Sequence, residues 1–520
     1  MGLQSPHPPA AGEAAPVPYP LRPHAVVIGA GIGGLAAAIR LGARGYRVTV
    51  LDRLDQPGGR AAVLRQDGFT FDRGPTLITA PDLLEELWAL CGKRMADFLT
   101  LKPLDPFYRI LFADGSALDW GGDEATMRAR IEAFAPGEAE GYSKILKESA
   151  AIHRVGYEQL SAKPFSRFTD MLKAVPQMAL MRADRSLYRM VARHVTDERL
   201  RMALSFHPLF IGGNPFNVTA VYALILHLER QGGVHYALGG TGAMVAGLAD
   251  LVRGEGHALR LGTDVTRILH EKGRATGVEL ADGTRLKAEV VISNACTAHT
   301  YGTLLADLPK RRWTTKRLAK ARYSMGVFVW YFGTRQRYEH LHHHTIQMGP
   351  RYRGLLDDIF TEKRLSKDFS LYLHRPSASD PSVAPEGHDA FYCLVPVPNL
   401  QGKIDWRREA EPMRRRIQAH LEATLLPRLG ANLVTSAVMT PLDFESRLLS
   451  THGAAFSLEP TLFQSAWFRP HNRSEELEGL YLVGAGTHPG AGVPGVLCSA
   501  KVLDEVVPAP TFRTGGAIHG

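Results

Sequence analysis

Gly29-Ala30-Gly31-Ile32-Gly33-Gly34 is the first stretch of the chain whose residue types and spacing could do chemistry. Glycine carries no Cβ, so the backbone can turn tightly and bring its N–H groups close to a charged ligand. In a Gly-x-Gly-x-x-Gly series, the first glycine permits the turn from strand to helix. The second lets the backbone meet a pyrophosphate, and the third lets the helix pack on the strand. The helix N-terminus then offers unpaired N–H groups and a positive dipole end to the phosphates. Asp52 stands 23 residues after Gly29, where a carboxylate accepts hydrogen bonds from ribose hydroxyls. This pattern predicts dinucleotide binding. A further turn, Gln56-Pro57-Gly58-Gly59-Arg60, is surplus to a nicotinamide site and suits closer wrapping of an FAD diphosphate. Near the other end, Gly484-Ala485-Gly486-Thr487-His488-Pro489-Gly490-Ala491-Gly492 leads into a helix starting near Pro494. N–H groups there would face the pyrimidine end of a flavin and offset the negative charge of a reduced ring. The candidate cofactor-contacting residues are Gly29, Ala30, Gly31, Gly33, Gly34, Asp52, Arg53, Gly59, Arg60, Val265, Gly486, Gly495 and Val496.

The elements that must position these residues are legible nearby. Ala25-Val26-Val27-Ile28 is short and β-branched, so it reads as a buried strand. Leu35 to Ala43 follows at helical spacing, and Arg47 to Leu51 is a second strand ending at Asp52. Gly121 to Glu229 lacks strand alternation and reads as several amphipathic helices. Leu261 to Ile268 alternates as a strand. Ala275–Leu280 and Arg285–Ile292 flank Asp282-Gly283, a hairpin turn signal. Phe328–Phe332 and Ala390–Val397 are apolar runs that suit the sheet of a substrate domain.

A chain of 520 residues is too long for one core. Its 51 glycines and 33 prolines fall short of a low-complexity composition. No run of about 18 apolar residues occurs, so no spanning helix is expected. The net charge of +9 favours an anionic partner. Without zinc-finger spacing, an RNP motif or a long Lys/Arg block, nucleic acid is not expected. The cysteines, at 91, 296, 393 and 498, form no Cys-x-x-Cys pair, which disfavours disulfides and Cys-ligated metals. The expectation is a protein of a reducing, cytoplasmic compartment with a flexible leader at 1–23 and no signal peptide.

Taken in order, these motifs resemble the bacterial phytoene desaturases, carotenoid-forming flavoproteins related to the amine oxidase fold. The resemblance runs from about His24 to Leu503. It also rests on Phe71-Asp72-Arg73-Gly74-Pro75-Thr76, Gly212-Gly213-Asn214-Pro215-Phe216 and Gln464-Ser465-Ala466-Trp467-Phe468-Arg469-Pro470-His471-Asn472. It departs from the family at Arg73, where a small residue is common, and at Ala237, where a proline often stands. The resemblance implies an α/β fold: a Rossmann-like FAD-binding domain built from discontinuous segments, with a substrate domain of mixed sheet and helices. The expected segments are 24–110, 230–300 and 441–508 for FAD, with a helical substrate and membrane-contact region at 111–229. The substrate domain proper is expected at 301–440 and a tail at 509–520.

It also implies the reaction. Phytoene and partly desaturated carotenes would lose hydride to the flavin and a proton elsewhere, with oxygen or a quinone as electron acceptor. The product would be neurosporene or lycopene. A C30 desaturase, a carotene isomerase, an amine oxidase and a non-catalytic carotenoid-binding protein stand as alternatives. A hydrocarbon substrate must come from a lipid surface. Peripheral membrane association is therefore expected, through a basic, partly apolar face at Phe165–Phe210. Asp170 and Lys173, an i,i+3 pair, lie in a segment discussed in the family as acid/base machinery; they equally fit a surface ion pair. The tract His340-Leu341-His342-His343-His344 looks like a metal run, but the family carries similar histidines with no metal implied, and none is expected.

Overall fold

The computed structural model describes residues 19–180, 182 and 184–512. The run His24–Ile28 is buried along its whole length because it is the middle strand of a parallel five-stranded sheet. In order across that sheet lie Leu480–Leu482, Val290–Ser293, His24–Ile28, Arg47–Leu51 and Ala258–Arg260. Its apolar strands need cover on both faces. Helices Ile32–Ala43, Thr241–Gly254 and Val493–Lys501 cover one. The antiparallel sheet Val265–Glu271, Arg274–Leu280 and Arg285–Lys287 covers the other. Buried Arg40 pairs with Glu86 at 2.9 Å and Asp504 at 2.7 Å, tying the first helix to its neighbours.

A second sheet has seven strands. They run Leu433–Met439, Gly326–Thr334, Asp389–Val397, Leu371–His374, His344–Gln347, Tyr108–Leu111 and Ala117–Trp120. All neighbours are antiparallel except His344–Gln347 with Tyr108–Leu111. One face packs on helix Trp406–Thr424. The other faces the helices between Glu124 and Gly232.

Three sequence readings change. The expected strand Arg285–Ile292 is two strands. Glu289 takes the His24 N–H on its carboxylate at 2.7 Å and donates its own N–H to the His24 carbonyl, handing the chain from one sheet to the other. The expected strand from Leu261 begins only at Val265, because the N–H groups of Gly262 and Thr263 bond the carbonyls of Leu54 and Asp52. The division at 110 falls inside Tyr108–Leu111, which belongs with Ala117–Trp120 to the seven-stranded sheet, so the helices begin only at Glu124. Residues 1–18 of the leader and 513–520 of the tail lie outside the described residues. The leader's end is ordered: Tyr19 bonds His257 through its hydroxyl at 3.2 Å.

Candidate cofactor and substrate cavity

The carboxyl ends of strands His24–Ile28, Val290–Ser293 and Leu480–Leu482 open on a cavity of about 580 Å³. Ligands of open parallel sheets bind in such a position. Gly29 has φ of +96°, which a side chain would strain. Gly31 caps the helix, and Ile32 and Gly33, which carry its first N–H groups, line the cavity.

Asn294, just past the end of Val290–Ser293, organises this turn. Its Nδ2 donates to the Gly29 carbonyl at 3.4 Å. A Cβ on Gly31 would stand 2.8 Å from that nitrogen, and one on Gly33 2.7 Å from its Oδ1. A Cβ on Gly484 would also crowd Oδ1, at 2.5 Å. The two glycine turns, 450 residues apart in sequence, thus close around one amide and leave backbone at the cavity wall. Asp52 is buried beside them. Its Oδ2 accepts from the Ala30 N–H at 2.7 Å and its Oδ1 from the Leu54 N–H at 2.9 Å. Burial pushes its pKa up, partly opposed by those two N–H groups. These residues fit a dinucleotide, since the wall presents N–H groups and the Asp52 carboxylate where side chains have been excluded.

The expected residues divide in three. Gly29, Gly31, Gly33, Asp52, Arg53, Gly59, Arg60, Val265, Gly495 and Val496 line the cavity. Ala30, Gly34 and Gly486 stand behind it as packing: a Cβ on Gly34 would overlap the Gly29 carbonyl, and one on Gly486 the Thr297 hydroxyl. Asp170 and Lys173 are not brought there. The Asp170 carboxylate accepts the Arg167 N–H at 3.0 Å, closing the first turn of its own helix, and Lys173 is exposed. Arg60 lines the cavity with its side chain already engaged by the protein. Its half-buried guanidinium donates to the Ala455 carbonyl and the Ser450 hydroxyl, each at 2.8 Å. Arg53 likewise donates to the carbonyls of Ser446 and Arg447.

A family model described as "Flavin containing amine oxidoreductase" matches residues 32–501. The chain belongs to the flavin-containing amine oxidoreductases. Among its relatives, the neurosporene-forming phytoene desaturase of Cereibacter sphaeroides is 51% identical over 94% of this chain and 95% of that protein. The lycopene-forming phytoene desaturase of Pantoea ananas is 47% identical over 91% of this chain and 97% of that protein. An oxidoreductase structure from Methanosarcina mazei superposes with a TM-score of 0.62 at 18% identity, covering 93% of this chain and 100% of that one. The protein is a flavin-dependent oxidoreductase.

In this flavin-containing amine oxidoreductase the cavity continues away from the glycines between the seven-stranded sheet and the helices. Phe206, Phe210, Ile225, Val327, Met348 and Leu394 line that arm. Among polar groups on the wall, Glu229 is buried and accepts from the Tyr108 hydroxyl at 2.9 Å. His488 is buried against Phe165, 5.0 Å between ring centroids. Burial pushes its pKa down to about 4, so it stays neutral. Arg469 is wholly buried and donates to four backbone carbonyls, those of Leu458, Gln464, Ala485 and Thr487. Sequence reasoning missed Asn294 as a site residue. The signal was its position directly after a parallel strand that neighbours the glycine turn.

Proposed function

We propose that the protein is an FAD-dependent phytoene desaturase, forming neurosporene or lycopene from phytoene through successive double bonds. The observation that carries this reading is the shape of one cavity. A glycine-walled end fits a dinucleotide, and an apolar arm suits a substrate that has no polar handle. Relatives named phytoene desaturases at 51% and 47% identity support it. The FAD would be held by segments 24–110, 230–300 and 441–508, with Gly31, Gly33 and Asn294 at the diphosphate and Asp52 at the ribose. The helix start at Val493–Val496 would lie at the flavin ring. Bound there, the flavin supplies the acceptor for hydride, and oxygen or a membrane quinone takes the electrons onward. The protein's own part is to exclude water, hold the polyene straight and remove a proton.

Access from a lipid surface is part of the reading. Helix Phe168–Leu180 turns Met171 into the cavity while Phe168, Leu172 and Val175 point outward, roughly half exposed. Phe463, on the neighbouring loop, is 73% exposed. No helix among the described residues is long and apolar enough to cross a membrane. An apolar rim around a cavity suits a protein resting on one leaflet. The test is to incubate holoprotein with phytoene in liposomes and resolve the carotenes by chromatography. Neurosporene or lycopene without added NAD or NADP is expected. Unchanged phytoene, or a strict nicotinamide requirement, overturns the reading.

A further inference from the structure

Each desaturation removes two hydrogens. One leaves carbon with its electron pair and goes to the flavin. The other leaves the adjacent carbon as a proton, and the C–H pair it abandons becomes the new π bond. That proton is born in an apolar cavity and must reach water once per double bond. Asp170 and Lys173, being outside the cavity wall, do not take it.

We propose, on the strength of the functional reading above, that Tyr372 and the row His344, His374 and His343 carry this proton from the cavity to the surface. Tyr372 and Thr76 line the cavity. The Tyr372 hydroxyl lies 2.5 Å from Thr76 Oγ1 and 2.6 Å from His344 Nδ1. Thr76 is two residues past Gly74, which packs on the Arg60 carbonyl, so the hydroxyl pair shares the cavity wall with Arg60. Strands His344–Gln347 and Leu371–His374 pair so that His344 sits directly opposite His374, with ring centroids 5.0 Å apart. His374 Nε2 lies 3.0 Å from His343 Nε2, and His343 Nδ1 lies 2.8 Å from Ser379 Oγ. Ser379 is partly exposed, and its carbonyl accepts from exposed Lys102.

The relay requires these hydrogen bonds to run in one direction, which the heavy-atom distances allow. Tyr372 donates to His344 Nδ1, which puts that ring's proton on Nε2. His374 donates from Nε2 to His343, which leaves its Nδ1 as an acceptor. His343 then donates from Nδ1 to Ser379. The two nitrogens left without a partner are His344 Nε2 and His374 Nδ1, one donor and one acceptor. One nitrogen from each of the three rings lies within 4.8 Å of the others, and the relay needs a single water to join His344 Nε2 to His374 Nδ1. As substrate protonates the phenol oxygen, each group passes on its own proton, and one proton leaves at Ser379. The cation left by hydride loss is a strong acid, so a phenol suffices to receive from it. All three histidines are buried, and burial holds them neutral; His343 is pushed down to about 3. A proton entering the row therefore passes through rather than lodging.

Three buried neutral histidines could instead ligate a divalent metal, and the test separates the two. In 15N-histidine-labelled holoprotein, NMR should show Nε2–H on His344 and His374 and Nδ1–H on His343, with no metal in elemental analysis. One equivalent of bound zinc, or the opposite tautomers, overturns the relay. In anaerobic stopped-flow with phytoene liposomes, Tyr372→Phe should bleach the flavin at least tenfold more slowly than the parent. It should also lose the parent's solvent deuterium isotope effect while keeping full FAD. His374→Gln should slow bleaching likewise. Parent-like rate and isotope effect in Tyr372→Phe overturn the relay. A parent that phytoene does not bleach overturns the functional reading beneath it.

Discussion

Gly31 shows how little room a single residue has at the cofactor wall. Its Cβ would fall 2.8 Å from Asn294 Nδ2, and Asn294 is pinned in turn by Gly33 and Gly484. Gly31→Val should therefore abolish FAD retention while the far-UV spectrum stays close to the parent's; stoichiometric flavin in the purified variant would refute the assignment of this turn. Asp72 illustrates a different residue-scale effect. It is buried at the end of strand Phe69–Asp72, and burial pushes its pKa up to about 6, opposed by hydrogen bonds from Thr241 and Gly242. The folded state thus holds this proton more tightly than the unfolded chain, whose value is near 3.8. Stability from this group is present at low pH and is lost as pH rises from about 4 to about 6, about 3 kcal/mol in all. Asp72→Asn should flatten that part of the profile. Melting temperatures of parent and variant between pH 4 and 7 check it, and a constant gap across that range would count against it. Sequence spacing located the glycine turn and Asp52, which meet at the cavity wall, because a strand-to-helix turn is a local device. It could not identify Asn294, Tyr372 or Arg469, whose roles depend on segments far apart in the chain.

At the scale of elements, the stretch 165–210 divides. Leu187, Met190, Val191, Leu200 and Leu204 are buried in the core under the seven-stranded sheet. Helix Phe168–Leu180 instead presents Phe168, Leu172 and Val175 outward, as the Phe463 loop does Phe463. A helix facing lipid and a helix facing a protein core share the same periodicity, so composition alone read both as one basic, apolar face. Burying the exposed parts of Leu172 and Phe463 in lipid is worth about 1 kcal/mol each. Leu172→Glu combined with Phe463→Glu should weaken liposome binding roughly thirty-fold. The loss should persist at high salt, because apolar insertion is not screened as charge is. Sedimentation with vesicles measures this, and undiminished binding would return this face to solvent.

The whole molecule is stitched together. Its five-stranded sheet draws strands from residues 24–51, 258–293 and 480–482, so no part of the cofactor wall is complete until the ends of the chain have met. The two glycine turns were legible in sequence, each as a local strand-to-helix turn. The handover at Glu289 was not, because it depends on a carboxylate meeting a backbone N–H 265 residues away. FAD at a hundredfold excess over its dissociation constant should add about 2.7 kcal/mol to the folded state. For a chain of this size that raises the melting temperature on the order of 3 °C. Calorimetry should show one transition that moves as a whole; two transitions, only one of them responding to FAD, would show that the sheets melt independently. Arg469 has a further consequence, for how the sequence can drift. Its four acceptors are all main-chain carbonyls, two from the stretch 458–464 and two from the stretch 485–487. Substitution at any of those four positions leaves the carbonyl where it was, whereas inserting or deleting one residue displaces it. The loop beside Phe463 and the turn beside the flavin wall are therefore tolerant of spelling and intolerant of length. A graft that exchanges either between related enzymes will hold only where the residue count of both is kept.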